Sequence, residues 1–194
     1  MSATPPPNSF KPITLKRLRK MAEAGEKIAS VTCYDATTAK LLDAAGLDVL
    51  LVGDSAAQVI LGFDSSIHAP LDFMIQISAA VKRGAPRCFV MADMPFMSYQ
   101  ADDAEAVRNA GRFMTEGLAD AVKLEVDASY GDLVAKLSRA GVPVVAHIGW
   151  KPQTARYAGV RTAVIAGRTA REAEKMLDDA QLLDLEPVAR LLEV

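Results

Sequence analysis

The sequence predicts an α/β protein of the (β/α)8 TIM-barrel type, with about six of the eight strands present. Three observations predict it. Short apolar runs each end in polar residues able to do chemistry: Val52-Gly53-Asp54-Ser55, Phe89-Val90-Met91-Ala92-Asp93, Ala121-Val122-Lys123-Leu124-Glu125 and Val144-Val145-Ala146-His147. Segments of helical pattern separate them, and such alternation argues for parallel strands joined by crossovers. The C-terminal ends of parallel barrel strands open into one mouth, where barrel active sites lie. A complete barrel needs eight strands and about 250 residues, whereas this chain has 194.

Residues 1–11, with Pro5-Pro6-Pro7, read as a flexible tail, and residues 12–194 as one partial barrel domain. Leu15, Leu18 and Met21 place a helix over 12–24. A first strand over 28–34 leads to a helix over 36–45 that Gly46 ends. A second strand, 48–53, opens a long connection through Gly62 and Pro70. A helix over 72–83 has Gly84 just past its end. Strand 88–93 and helix 102–116 follow, the latter opened by Asp102-Asp103 and closed by Gly117. Next come strand 120–125, a helix over 130–140 with Ser129-Tyr130-Gly131-Asp132 as its capping box, and strand 142–147. Thr169-Ala170-Arg171-Glu172 forms a second capping box for a helix reaching about 183. Residues 188–194 read as a sixth strand. An open sheet with two free edges would be prone to association.

Composition excludes some classes. With 51% hydrophobic residues the chain should fold, and a net charge of −2 gives no electrostatic case for nucleic acid or an anionic membrane. The run Lys16-Arg17-Leu18-Arg19-Lys20 reads as a solvated helix face. No apolar run approaches the ~18 residues of a membrane span, and no signal core opens the chain. Cys33 and Cys88 read as buried free thiols. The expectation is a cytoplasmic protein.

Asp54 and Asp93 form the strongest chemical pair. Two strand-end carboxylates suit Mg2+, which takes one or two protein carboxylates, several waters and its substrate. A 2-oxo acid offers such an ion two oxygens, and the ion stabilises negative charge as the adjacent carbon loses a proton. Lys123 could neutralise that charge. Glu125, two residues on, shares its face of the strand. His147 could donate a hydrogen bond. Each also has a structural reading: Asp54 and Asp93 as loop caps, Glu125 as an ion-pair partner of Lys123, His147 as a core histidine. His68 reads as solvated, and Tyr34 and Asp35 as structural.

The segments Val52-Gly53-Asp54-Ser55, Lys82-Arg83-Gly84-Ala85-Pro86, Ala92-Asp93-Met94-Pro95-Phe96-Met97-Ser98-Tyr99, Val122-Lys123-Leu124-Glu125 and His147-Ile148-Gly149-Trp150-Lys151-Pro152-Gln153 resemble the ketopantoate hydroxymethyltransferase family in order and spacing. The resemblance implies a barrel of the phosphoenolpyruvate/pyruvate superfamily. It further implies Mg2+ as cofactor and 5,10-methylenetetrahydrofolate as co-substrate. The implied reaction transfers a hydroxymethyl group to 3-methyl-2-oxobutanoate through a Mg-stabilised enolate, giving 2-dehydropantoate for pantothenate synthesis. By motif, Asp54 and Asp93 match metal ligands and Glu125 a residue near the metal's water shell. Ser55, Asp93, Lys123 and His147 match substrate contacts. The family's general base lies at the end of the sixth strand in a Leu-Glu context, which Leu192-Glu193 matches. Glu193, or a residue just past Val194, fills that role.

The implied partners are a small 2-oxo acid, the folate and further copies of the chain, without nucleic acid or membrane. The sequence departs from the family's pattern at Phe63, where a His is usual, and at Val126-Asp127, where glycines are common. Two alternatives stand beside the main reading: another 2-oxo-acid C–C lyase of the superfamily, and a truncated inactive homologue.

Overall fold

Strand and helix alternate through the computed structural model, which describes residues 11–154, 167–184 and 192–193. The strands are β1 (Ser30–Thr32), β2 (Val49–Val52), β3 (Phe89–Asp93), β4 (Ala121–Glu125), β5 (Val144–His147) and β6 (Leu192–Glu193). They form one parallel sheet in chain order, β1-β2-β3-β4-β5-β6. The helices are α1 (Leu15–Glu23), α2 (Ala36–Ala45), α3 (Ala56–Val59), α4 (Leu71–Gly84), α5 (Asp103–Thr115), α6 (Gly131–Arg139) and α7 (Ala170–Asp184). Helix α2 packs on α4, α4 on α5, α5 on α6 and α6 on α7, so an outer helical layer follows the sheet around. This is the architecture of β/α barrels. Among the described residues no helix is long and apolar enough to cross a membrane.

The two faces of the sheet separate by parity. Leu50, Val52, Val90, Ala92, Val122, Leu124, Val144 and Ala146 face the helices, packing with Met74, Phe113, Leu133 and Leu137. The alternate residues Val49, Phe89, Met91, Ala121 and Val145 form a second cluster on the other face, closed by Leu18 and Met21 of α1. The same parity continues along each strand to Asp93, Lys123, Glu125 and His147. Helix α1 therefore covers the N-terminal end of the face whose C-terminal end carries the polar residues. Of the basic run, Lys16, Arg17 and Lys20 are exposed as expected, while Arg19 is half-buried.

Helix ends follow local chemistry. Asp35 caps α2 by accepting from Thr37 and Thr38 N–H, each at 2.8 Å, and Gly46 ends it in the left-handed region at φ 90°. The reading of Asp35 as structural thus holds. Thr169 and Glu172 form the expected box, each backbone N–H donating to the other's side chain at 3.2 Å.

Three expectations are corrected. Ser129 does not cap α6; its hydroxyl and N–H both donate to Asp127 Oδ1, at 2.6 and 3.1 Å, so Asp127 caps a 3-10 turn over Ala128–Tyr130 instead. Gly84 lies inside α4, not beyond it, and its role is close approach: a Cβ there would clash with the Ala36 carbonyl oxygen. The long connection after β2 holds α3 and a 3-10 turn over Ser66–His68. Of the proposed tail only Lys11 is described. Residues 188–191 and 194 of the proposed sixth strand also lie outside the described residues.

Candidate active site at the carboxyl ends of the strands

Parallel pairing brings the polar strand ends side by side. Asp93 at the end of β3 is in register with Lys123 of β4, and Glu125 of β4 with His147 of β5. Lys123 Nζ lies 2.7 Å from Asp93 Oδ1, both side chains buried. The turn after β2 folds back so that the Asp54 N–H donates to Asp93 Oδ2 at 3.1 Å. The second carboxylate of the pair is thereby held beside the first. The Ser55 and Tyr34 hydroxyls are 2.8 Å apart. Tyr34, read as structural, therefore supports a site residue directly.

Electrostatics mark the site as short of positive charge. Burial, and then the neighbouring Asp93 carboxylate, raise Asp54 to about 6, although Gln153 and Lys123 pull the other way. Burial raises Glu125 to about 8, although the Gln153 N–H it accepts favours its charged form; Asp54 adds to the rise. Burial lowers His147 to about 4, helped by the positive charges of Lys123 and Lys151, so its imidazole is neutral at physiological pH. Carboxyls raised by burial, with a neighbouring like charge adding to the rise, are characteristic of functional sites.

A residue without an assigned role joins these groups. Gln153 follows β5 in a 3-10 turn over Pro152–Thr154 and is 5% exposed. Its Nε2 donates to Asp54 Oδ2 at 2.9 Å and to Met94 O at 3.0 Å, and its backbone N–H donates to Glu125 Oε2 at 2.9 Å. Its Oε1 lies 3.0 Å from the Tyr99 hydroxyl and accepts from Gln100 Nε2 at 3.1 Å. Tyr99 also accepts the Glu125 N–H at 3.1 Å. A left-handed residue, Met97 at φ 66°, turns the loop that delivers Tyr99.

The same loop after β5 is tied a second time, by Lys151 Nζ to Asp127 Oδ2 at 2.7 Å. Burial pushes Asp127 upward, but Lys151 and the Ser129 hydroxyl outweigh it and hold the carboxyl at about 2. The departure at Val126-Asp127 thus supplies an anchor. The departure at Phe63 places its ring 5.1 Å from that of His68. His68 is exposed, as the solvated reading has it, and its Nε2 lies 3.6 Å from Asp64 Oδ1.

The structure therefore brings Asp54, Asp93, Lys123, Glu125 and His147 to one end of the sheet, with Ser55 beside them. Glu193 is paired in register with His147 through the backbone of β6. Among the described residues no three His, Cys, Asp or Glu side chains are grouped to hold a metal. The candidate donors are the Asp54 and Asp93 pair, with Glu125 turned to Gln153. Two hard oxygen donors, Asp54 raised by burial and then by the Asp93 charge, fit a small divalent cation that keeps most of its water.

A family profile described as ketopantoate hydroxymethyltransferase matches residues 12–191. The 3-methyl-2-oxobutanoate hydroxymethyltransferase of Carboxydothermus hydrogenoformans is 47% identical over 171 residues, covering 88% of this chain and 61% of that protein. The enzyme of the same name from Geobacillus kaustophilus is 49% identical over 161 residues, covering 83% and 57%. Among solved structures, a 2,3-dimethylmalate lyase of the PEP mutase/isocitrate lyase superfamily superposes with a TM-score of 0.64 at 18% identity, covering 92% of this chain and 60% of that one. A phosphonopyruvate hydrolase in complex with oxalate and Mg2+ gives 0.67 at 13% identity, covering 90% and 60%. At these identities the structures establish the fold. The chain spans about 60% of the length of the relatives it matches. The extent of the profile match, and identities near one half, establish that this chain belongs to the ketopantoate hydroxymethyltransferase family.

Proposed function

We propose that the chain carries the chemistry of 3-methyl-2-oxobutanoate hydroxymethyltransferase: transfer of a hydroxymethyl group from 5,10-methylenetetrahydrofolate to 3-methyl-2-oxobutanoate, giving 2-dehydropantoate. The buried Asp54–Asp93 pair beside Lys123, at the mouth of a parallel sheet in this family, carries the proposal. Asp54 and Asp93 would hold Mg2+, with Glu125 at its water shell. When bound, the ion supplies Lewis-acid polarisation of the 2-oxo acid.

The chain's own residues do the rest. Lys123 places an ammonium where negative charge develops, in a site from which water is largely excluded, where such charge counts most. Ser55, held by Tyr34, offers a hydroxyl to the substrate carboxylate. Neutral His147 offers an N–H from the pocket wall. Water opens the folate methylene, both of its C–N bonds breaking to give formaldehyde and tetrahydrofolate, whose nitrogens keep the water's two protons. Glu193 takes the proton from C3, and C3 of the resulting enolate adds to the formaldehyde carbon, whose oxygen takes up a proton to become the hydroxyl. A cytoplasmic setting and assembly of several copies belong to the same proposal. The exposed run Val59, Ile60, Leu61 and Phe63 offers apolar surface for that assembly, which light scattering tests.

The first experiment is Mg2+-dependent deuterium exchange at C3 of 3-methyl-2-oxobutanoate, followed by proton NMR. It needs no folate. Exchange that disappears in Asp93→Asn supports the proposal. A folded protein without exchange overturns it, and pyruvate release from a longer acid would point to the lyase reading.

A further inference from the structure

We infer that Gln153 is a positioning residue for the cation site, orienting Asp54 and coupling the loop after β5 to Asp54 and Glu125; the inference rests on the reading of Asp54 and Asp93 as cation ligands. A buried primary amide has two N–H donors and two acceptor lone pairs to satisfy. Gln153 has partners at both ends: Asp54 Oδ2 and Met94 O on the nitrogen side, Gln100 Nε2 and the Tyr99 hydroxyl on the oxygen side, the one Tyr99 proton being shared with Glu125 O. The nitrogen end fixes which way the amide faces, because Asp54 Oδ2 and Met94 O are pure acceptors that only an N–H can address.

The consequence falls on Asp54. With Oδ2 held by the amide, the plane of the carboxylate is set, and so is the direction of Oδ1. The backbone of the same residue holds Glu125 Oε2. One residue therefore sets the carboxylates after β2 and on β4 together, from a loop that starts at β5. Polar partners that orient metal ligands contribute strongly to metal affinity, and their loss costs roughly 10–100-fold. A buried glutamine needed only for loop packing would not have to address both carboxylates.

The test is Mn2+ binding to the full chain, read by electron paramagnetic resonance of the free ion. Wild type is compared with Gln153→Met, which keeps volume and the backbone N–H, and with Asp54→Asn. The expected result is binding by wild type, its loss in Asp54→Asn, and a constant at least tenfold weaker in Gln153→Met. A folded Gln153→Met variant that binds within threefold of wild type, with only its melting point lowered, overturns the inference alone. Undiminished binding by Asp54→Asn, or none by wild type, overturns the metal reading and the inference with it. Should Gln153→Met not fold, the wild-type protein still decides. The Gln153 side-chain amide resonances, assigned through bonds, must shift saturably on Mg2+ titration; resonances that stay fixed at saturation overturn the inference.

Discussion

Lys123 and Asp93 form a buried ion pair, and removing one member leaves the other charge without compensation. Such losses cost ~3–5 kcal/mol. Lys123→Ala should therefore lower unfolding stability by about 3 kcal/mol in urea titration as well as abolish C3 exchange. The raised carboxyls give a pH signature. A carboxyl whose folded pKa lies above its unfolded value contributes stability that is complete below the unfolded value and lost as pH rises through the folded one. For Glu125 that loss runs from about 4.5 to about 8. His147 titrates oppositely, losing stability as pH falls from 6.5 to about 4, so the window above 6.5 isolates the carboxyl. In chelator, the melting temperature should fall between pH 6.5 and 9, and Glu125→Gln should flatten that slope. A slope unchanged in Glu125→Gln would refute the assignment. The residues named from sequence were those whose type and strand-end position announce chemistry. Gln153 and Tyr99 lie within the family motifs but announce no role there, because a buried amide or phenol shows its partners only once three loops converge.

A helix cap and a helix–helix contact invite direct tests. Asp35→Ala removes the cap of α2 and should cost about 1 kcal/mol, measurable by chemical denaturation. Gly84→Ala forces α4 away from α2, since the added methyl would overlap the Ala36 carbonyl; overpacking of this kind costs about 1–3 kcal/mol. A Gly84→Ala protein as stable as wild type would show that the helices can slide apart freely. Strands β2 to β5 were legible because their apolar runs are short and bounded by polar residues. Gly84 was misplaced because a glycine needed for helix contact and one ending a helix look alike in sequence. Ser129 looks like a cap in sequence, but Asp127, two residues earlier, accepts both its hydroxyl and its N–H and so turns the hydroxyl away from the start of α6. Helix α3 has one turn, too short to display a period.

At the scale of the molecule, stability should grade across the sheet. Strands β3 and β4 are buried at every residue, whereas Ser30, Val31 and Thr32 of β1 are all exposed. Hydrogen exchange should be slowest in β3 and β4 and fastest in β1; the reverse order would contradict the burial pattern. The barrel class was readable because alternation of strand and helix is a property of the whole chain and survives errors at any one boundary. Each strand pairs with the one before it in sequence, partners lying between 19 residues apart (Ser30 with Val49) and 46 (Ala146 with Leu192). Such an order lets a ribosome build the sheet by accretion, each new repeat docking on a finished neighbour while the rest of the message is still unread. Asp54, Asp93 and Lys123 can then be assembled before His147 exists, so the most highly charged part of the mouth is also its earliest.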